Sequence, residues 1–132
     1  MPVINFTQKD LSRLKPPDNG WHLCVVKSLD ESASKDKASI NYQFECEVLK
    51  SEAGDQNIGR YCYPGFNSKA LGFMIPFICA CLDISLDKFQ LGEFEAGKLI
   101  EKKVYIKARE EAFDGKLVKK YTEFASASAV PF

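Results

Sequence analysis

Several features of common enzymes and metal sites are missing from this sequence. It has one histidine, His22, no C-x-x-C pair and no glycine-rich phosphate loop. His22 has no nucleophile partner at a catalytic spacing and is expected to be a surface residue. The five cysteines are odd in number and, with a single histidine, they argue against a zinc site. We therefore expect a protein that is not an enzyme and that uses no metal and no cofactor.

Net charge is absent as well. The 18 Lys+Arg residues balance the 18 Asp+Glu residues, which argues against a strongly basic nucleic-acid binder of the histone type. The charges are nevertheless unevenly placed, because residues 30–55 have a net charge of −4, whereas residues 56–80 contain Arg60 and Lys69 and no acid. Residues 101–132 have a net charge of +2. The chain can therefore carry a local basic groove, although an ordinary mixed surface explains the same pattern.

Long apolar runs are also lacking. The most apolar stretch, Ala70 to Leu82, has 13 residues and contains Gly72 and Pro76, so it is too short to span a membrane. The first ten residues are mixed and polar, which predicts no signal peptide. Most of the cysteines lie in apolar segments, where free thiols are usually buried. We expect all five to be free, in a reducing, cytoplasmic compartment.

The length of 132 residues predicts one domain between two short ends. Residues 1–19 are interpreted as an extended arm that ends in a turn at Pro16-Pro17-Asp18-Asn19-Gly20. Residues 20–125 form the predicted domain, and residues 126–132 form a short tail.

Hydrophobic periodicity within the domain predicts three strands, a helix and two more strands. The strands are expected at about 21–29, 38–48, 58–66, 102–109 and 117–124, and Asp114-Gly115 predicts a tight hairpin between the last two. Between the third and fourth strands we expect a helix that is capped by Asn67 or Ser68 and broken at Pro76. This is the chain order of the OB-fold, an all-β five-stranded barrel with one inserted helix between strands 3 and 4.

Strand alternation also predicts which side chains are buried. In the second strand Ile40, Tyr42, Phe44, Cys46 and Val48 share one face, so Tyr42 and Phe44 are expected in the core. In the fourth strand the expected inward set is Val104, Ile106 and Ala108, and the expected outward set is Tyr105, Lys107 and Arg109. Trp21 is expected in the core.

The stretch RYCYPGFNSK, residues 60–69, combines three aromatics with two cations and no acid. Such a composition suits single-stranded nucleic acid, because bases stack on aromatic rings and phosphates bind cations. Either Cys62 is buried and Tyr61 and Tyr63 face outward, or the two tyrosines are core. We favour the first register because a buried cysteine is the commoner case. The direction of Phe66 is left open.

The remaining candidates lie in the loops that OB-folds use for binding, between strands 1 and 2 and between strands 4 and 5, and on the neighbouring strands. The complete set of predicted DNA-binding residues is Lys35, Lys37, Asn41, Arg60, Tyr61, Tyr63, Phe66, Lys107, Arg109, Phe113, Lys116, Lys119 and Tyr121.

Four segments together resemble a family of small phage-encoded single-stranded DNA-binding proteins found beside recombination and replication genes. They are NGWHLCVVKSL, INYQFECEV, GRYCYPGFN and LIEKKVYIKAREEAFDGK, and the resemblance covers about residues 20–120. It implies an OB-fold, no catalysis and sequence-independent binding of single-stranded DNA in the cytoplasm of an infected bacterium. Replication or recombination proteins are further implied partners, association of the chain with itself is left open, and no membrane is involved.

Two alternatives remain. The chain can instead be an OB-like module that binds a replication or host protein through an apolar patch, and the zero net charge favours that alternative. A small hydrolase or nuclease subunit is a weaker one.

Overall fold

The structure is a computed structural model that describes residues 2–132, apart from the side chains of Lys9 and Ser12. Residue 1 of the predicted arm lies outside the described residues. Six strands and two α-helices are formed: α1 (Gln8–Ser12), β1 (Gly20–Ala33), β2 (Ile40–Ser51), β3 (Tyr61–Cys62), β4 (Gly65–Asn67), α2 (Ile75–Leu82), β5 (Lys103–Phe113) and β6 (Lys116–Ser126). Short 3-10 helices cover Asp55–Asn57, Ser68–Met74, Leu86–Lys88 and Ala96–Leu99.

The strands form one antiparallel sheet in the order β3-β2-β1-β5-β6, and β4 also pairs with β2. The predicted β-rich fold, with a helix between the third and fourth predicted strands, is therefore confirmed. The predicted third strand is broken into β3 and β4 at Tyr63 and Pro64. Pro64 is fully buried, and it has no N–H to donate to a ladder, although its carbonyl accepts a bond from Phe44 N (3.0 Å).

The two long strands at the centre of the sheet are bent by irregular pairing. The register between β1 and β2 shifts between Leu23 and Cys24 and again between Val26 and Ser28. Such bulges bend a strand and increase its twist.

The core lies between the inner face of this sheet and α2. Phe77 of α2 packs against Phe44 of β2 (ring centroids 4.8 Å apart) and Phe124 of β6 (5.0 Å). Phe44, Cys46 and Val48 are fully buried, as the alternation in strand two predicts. Tyr42 is only half-buried, so its place in the core is partly confirmed, and Trp21 is also half-buried.

The connection from β4 to α2 follows the predicted capping but starts as a 3-10 helix. Asn67 Oδ1 accepts a hydrogen bond from Lys69 N (2.9 Å), which satisfies a free N–H at the first turn. The α-helix proper begins at Ile75, with Pro76 in its first turn, where a proline needs no hydrogen bond. The expected break in the helix is therefore confirmed, as a change of helix type.

Two further predictions from the sequence are confirmed, the tight hairpin between β5 and β6 and the free state of the cysteines. Asp114 and Gly115 both have positive φ (51° and 77°), as a two-residue turn of type I′ requires. All five cysteines are free and buried. Val104, Ile106 and Ala108 of β5 are buried, as the alternation predicts. Within residues 2–132 no helix is long and apolar enough to cross a lipid bilayer.

Tyr105 departs from the expectation of an exposed outer face. Its side chain lies opposite Val104 and Ile106 along β5, yet it is almost completely buried. Phe132 of the tail packs edge-on against its ring, with centroids 5.9 Å apart. The C-terminal tail therefore covers part of the outer face of the sheet.

The arm also differs from the extended segment that the sequence predicts, because it contains α1. Thr7 and Asp10 form reciprocal hydrogen bonds at the start of this helix, Thr7 N to Asp10 Oδ2 (2.8 Å) and Asp10 N to Thr7 Oγ1 (3.3 Å). This is the geometry of a capping box, which the pattern T-x-x-D can form.

Candidate nucleic-acid interface

Tyr61 and Tyr63 form a stacked pair on the outer face of the sheet edge. Their ring centroids are 6.3 Å apart and their planes differ by 28°. Cys62 between them is fully buried and lies opposite Cys46 of β2. Because side chains alternate along a strand, burial of Cys62 turns both tyrosines outward. The favoured register is therefore confirmed, and Tyr63 is 42% exposed.

The pair has acidic neighbours, which the sequence reading did not identify. Glu47 of β2 lies directly opposite Tyr61, and Glu45 lies on the same outer face because Cys46 points inward. Burial raises the pKa of the Tyr63 phenol, and the negative charge of Glu45 raises it further. The strand alternation of INYQFECEV already placed these carboxylates on the outer face, so the signal was present in the sequence.

Arg60, predicted to bind phosphate, is instead an interior residue. It is 7% exposed, and its Nη1 donates to Asn57 Oδ1 (3.1 Å) and lies 3.8 Å from Asp18 Oδ1. Asn57 Oδ1 also accepts from Asp18 N (2.8 Å). The guanidinium therefore connects the end of the arm to the turn before β3, and the prediction of a surface phosphate contact at Arg60 is wrong.

Phe66 is likewise an interior side chain. It is 9% exposed and its ring contacts Phe44 (6.2 Å), Phe77 (5.8 Å) and Phe124 (6.1 Å). The aromatic core holds this ring, so its prediction as a stacking surface is wrong. Tyr121 of β6 is half-buried and packs against the same core, and burial raises its pKa. It lies opposite Ala108, an inward position, and its role in binding stays a prediction.

The loop between β1 and β2 presents Lys35 and Lys37 to solvent. Asp36 between them is held by the loop itself, because it accepts hydrogen bonds from the Ser34 hydroxyl and from Ala38 N (3.0 Å). The bond from Ser34 lowers the pKa of Asp36. Asp36 also lies 3.8 Å from Lys69 Nζ. Among the described residues neither Lys35 nor Lys37 is in an ion pair, so both charges are available to a ligand.

Asn41 lies at the base of this loop, exposed on the outer face of β2. It faces Asn67 of β4, whose Nδ2 donates to Asn41 Oδ1 (2.7 Å). Asn41 therefore borders the same face as the tyrosine pair, and its role in binding stays a prediction.

The hairpin of β5 and β6 projects from the body of the protein, since every residue from 109 to 118 is exposed. Phe113 at its tip is 70% exposed. Three predicted phosphate ligands on these strands already have carboxylate partners: Lys107 with Glu123 (3.5 Å), Arg109 with Glu111 (2.6 Å) and Lys119 with Glu110 (3.1 Å). Within the described part of the chain, Lys116 has no such partner.

A buried polar cluster at the start of β1 was missed from the sequence. His22, expected at the surface, is fully buried, and its Nε2 donates to the Asp18 carbonyl oxygen (2.7 Å). Its Nδ1 is the single buried side-chain nitrogen or oxygen in the described residues that lacks a hydrogen-bond partner. The signal was the parity of His22 with Cys24, which puts the histidine on the inward side. Within residues 2–132 no three His, Cys, Asp or Glu side chains are grouped as metal ligands.

Comparison of the chain with known proteins finds no matching protein-family model and no matching curated protein.

Proposed function

We propose that this chain is an OB-fold protein that binds single-stranded DNA without sequence preference. The strand order β3-β2-β1-β5-β6 and the helix after β4 support the fold, since they match the order of an OB barrel before its last seam closes. The two edges approach each other across that seam, where the rings of Phe66 on β4 and Phe124 on β6 are 6.1 Å apart. OB barrels are often only partly closed at this point.

The observation that carries the proposal is the stacked pair of Tyr61 and Tyr63. Two phenol rings on the outer face of β3, beside β2, offer flat surfaces at the place where OB-folds bind oligonucleotides. Stacking contributes roughly 1–3 kcal/mol per base and tolerates any base. Phe113 at the hairpin tip offers a further exposed ring.

Phosphate contacts are assigned to those predicted DNA-binding lysines that are exposed and have no ion pair within residues 2–132. These are Lys35 and Lys37 in the first loop and Lys116 in the hairpin. Glu45 and Glu47 lie on the outer face beside the tyrosine pair and repel phosphate. We therefore expect a small number of phosphate contacts and an affinity that depends more on stacking than on charge.

The biological setting is proposed from the sequence resemblance alone. It is replication or recombination of phage DNA, in the cytoplasm of the infected cell and without catalysis. In that setting the protein holds single strands open for other proteins.

A protein-binding module is the second candidate, and one specific observation favours it. The tyrosine pair has carboxylates on its β2 side, at Glu45 and Glu47, and this combination also suits a cationic side chain of a protein partner. In that case the outer face binds a basic peptide and DNA binds weakly or not at all.

A variant series at Tyr63 tests the proposal. Tyr63→Phe keeps the ring and should bind labelled oligothymidine with nearly the affinity of the parent protein. Tyr63→Ala removes the ring and should weaken binding by roughly 1–3 kcal/mol. Leu86→Ala is the control, because Leu86 is exposed in the connection after α2, a segment that contains none of the predicted binding residues. Equal affinity of Tyr63→Ala and Leu86→Ala, measured by fluorescence anisotropy, contradicts the stacking role.

A further inference from the structure

An apolar cavity of about 420 Å³ opens beside α2. Its floor and walls come from β1, β2, α2 and the connection after α2, and they include Leu29, Phe44, Ile75, Ile78, Phe89 and Phe94. Leu71 and Leu91 stand on its rim and are 47% and 89% exposed. Of the described residues that line the cavity, Glu31 is the only one with a charged side chain.

The arm carries large apolar side chains that stay exposed to solvent. Val3, Ile4 and Phe6 are 85%, 69% and 82% exposed. Exposed clusters of large apolar residues in soluble proteins commonly mark an interaction site. Ile4 and Phe6 are two residues apart in a segment without helix, so in an extended conformation both point to the same side.

The arm does not enter the cavity of its own chain, since Ile4 and Phe6 remain exposed. Pro17 is buried, and Asp18 is bonded to Asn57 and paired with Arg60 beside the start of β1. The cavity lies at Leu29 and Glu31, some ten residues further along β1. A second molecule presents the same cavity to the exposed arm.

The charges of the two surfaces are complementary. Arg13 and Lys15 follow the apolar part of the arm and are exposed. Glu31 lies at the cavity, and the exposed Glu93 and Glu95 flank Phe94 in its wall. Cations on the arm would therefore meet carboxylates around the cavity.

We propose that Ile4 and Phe6 of the arm dock into this cavity on a second copy of the chain, and that two copies exchange arms reciprocally. Two identical arm–cavity contacts related by a two-fold axis form a closed dimer. The proposal does not depend on DNA binding, because it uses neither the tyrosine pair nor the lysines assigned to phosphate.

Sedimentation equilibrium of the full chain over a range of concentrations tests the proposal. The parent protein should show a dimer that dissociates to monomers on dilution. Phe6→Asp alters the arm and Leu71→Asp alters the cavity rim, and each should raise the dimer dissociation constant at least tenfold. Leu117→Asp, at an exposed leucine on the hairpin, is the control and should leave the dimer unchanged.

Mixing the two variants gives a result that is specific to arm exchange. The Leu71→Asp chain retains its arm and the Phe6→Asp chain retains its cavity, so one intact contact can form between them. The mixture should associate more tightly than either variant alone. A parent protein that is monomeric at every concentration, variants that dimerise like the control, or a mixture no tighter than its components would overturn the proposal. Thermal melting of each variant verifies that it is folded.

Discussion

Acidification from pH 7.5 to 5.5 should destabilise the protein through His22. The imidazole is fully buried and donates from Nε2 to the Asp18 carbonyl, so Nδ1 carries the lone pair and has no hydrogen-bond partner among the described residues. Burial lowers the pKa of His22 below its ordinary value of 6.5, although the neighbouring Asp18 opposes this effect. A proton on Nδ1 would add a buried charge and an unpaired N–H group.

The direction of the effect follows from proton binding in the two states. Below pH 6.5 the unfolded chain takes up a proton on His22 while the folded chain does not, so the free energy of unfolding falls as the pH falls. The decline is at most about 1.4 kcal/mol per pH unit and stops once the pH reaches the pKa of the folded state. A loss of about 1 kcal/mol lowers Tm by about 3 °C in a chain of this size.

Urea unfolding followed by the fluorescence of Trp21, the single tryptophan, measures this dependence at pH 7.5, 6.5 and 5.5. His22→Gln is the control, because the amide keeps an N–H donor and does not titrate. It should show a much weaker dependence over this range. The low pKa of Asp18, set mainly by its hydrogen bond from Gln56, acts only below about pH 4 and so falls outside the window. A parent protein with constant stability from pH 7.5 to 5.5, or a variant with the same slope as the parent, would refute the reasoning.

Three further predictions concern the interior. Asn57→Ala removes the acceptor of Asp18 N and Arg60 Nη1 and should lower the free energy of unfolding in urea by about 2–4 kcal/mol. Gln90→Ala, in an exposed loop, should change it by no more than about 0.5 kcal/mol, and equal losses for the two variants would contradict the buried network. In thermal melts Phe66→Ala should lower the free energy of unfolding by about 3–5 kcal/mol and Tyr63→Ala by about 1 kcal/mol. A larger loss for Tyr63→Ala would mean that the segment of residues 61–66 faces the other way. All five thiols should react with a thiol reagent in the unfolded, unreduced protein. In the native protein Cys46 and Cys81 should react slowly, because burial raises the pKa of both thiols, that of Cys81 to about 12. Rapid labelling of these two cysteines in the native protein would contradict their burial.

Local patterns were sufficient to predict most of the sheet and the facing of its side chains. The alternation around Phe44 and Cys46, the Asp114-Gly115 turn and the Asn67 cap each depend on neighbours in sequence, and each is found in the structure. Burial of Cys62 likewise determined the direction of the tyrosine pair.

Contacts between distant segments were not predictable in the same way. Arg60 is buried because Asp18 and Asn57 surround its guanidinium, and nothing near position 60 in the sequence signals that the arm ends there. The outer-face ring of Tyr105 is covered by Phe132 of the C-terminal tail, 27 residues further along the chain. The carboxylate partners of Lys107 and Lys119 arise from the pairing of β5 with β6, so the number of available cations could be counted only from the structure.

Titration of labelled oligothymidine and of a matched duplex across a salt series tests the central claim most directly. Three phosphate contacts, at Lys35, Lys37 and Lys116, predict a slope of about −2 for the logarithm of affinity against the logarithm of salt concentration, at about −0.7 per contact. Binding of the single strand should be micromolar or tighter, and binding of the duplex should be much weaker. Equal affinity for both forms, or no binding of the single strand at low salt, would contradict the claim that the exposed tyrosines stack on unpaired bases.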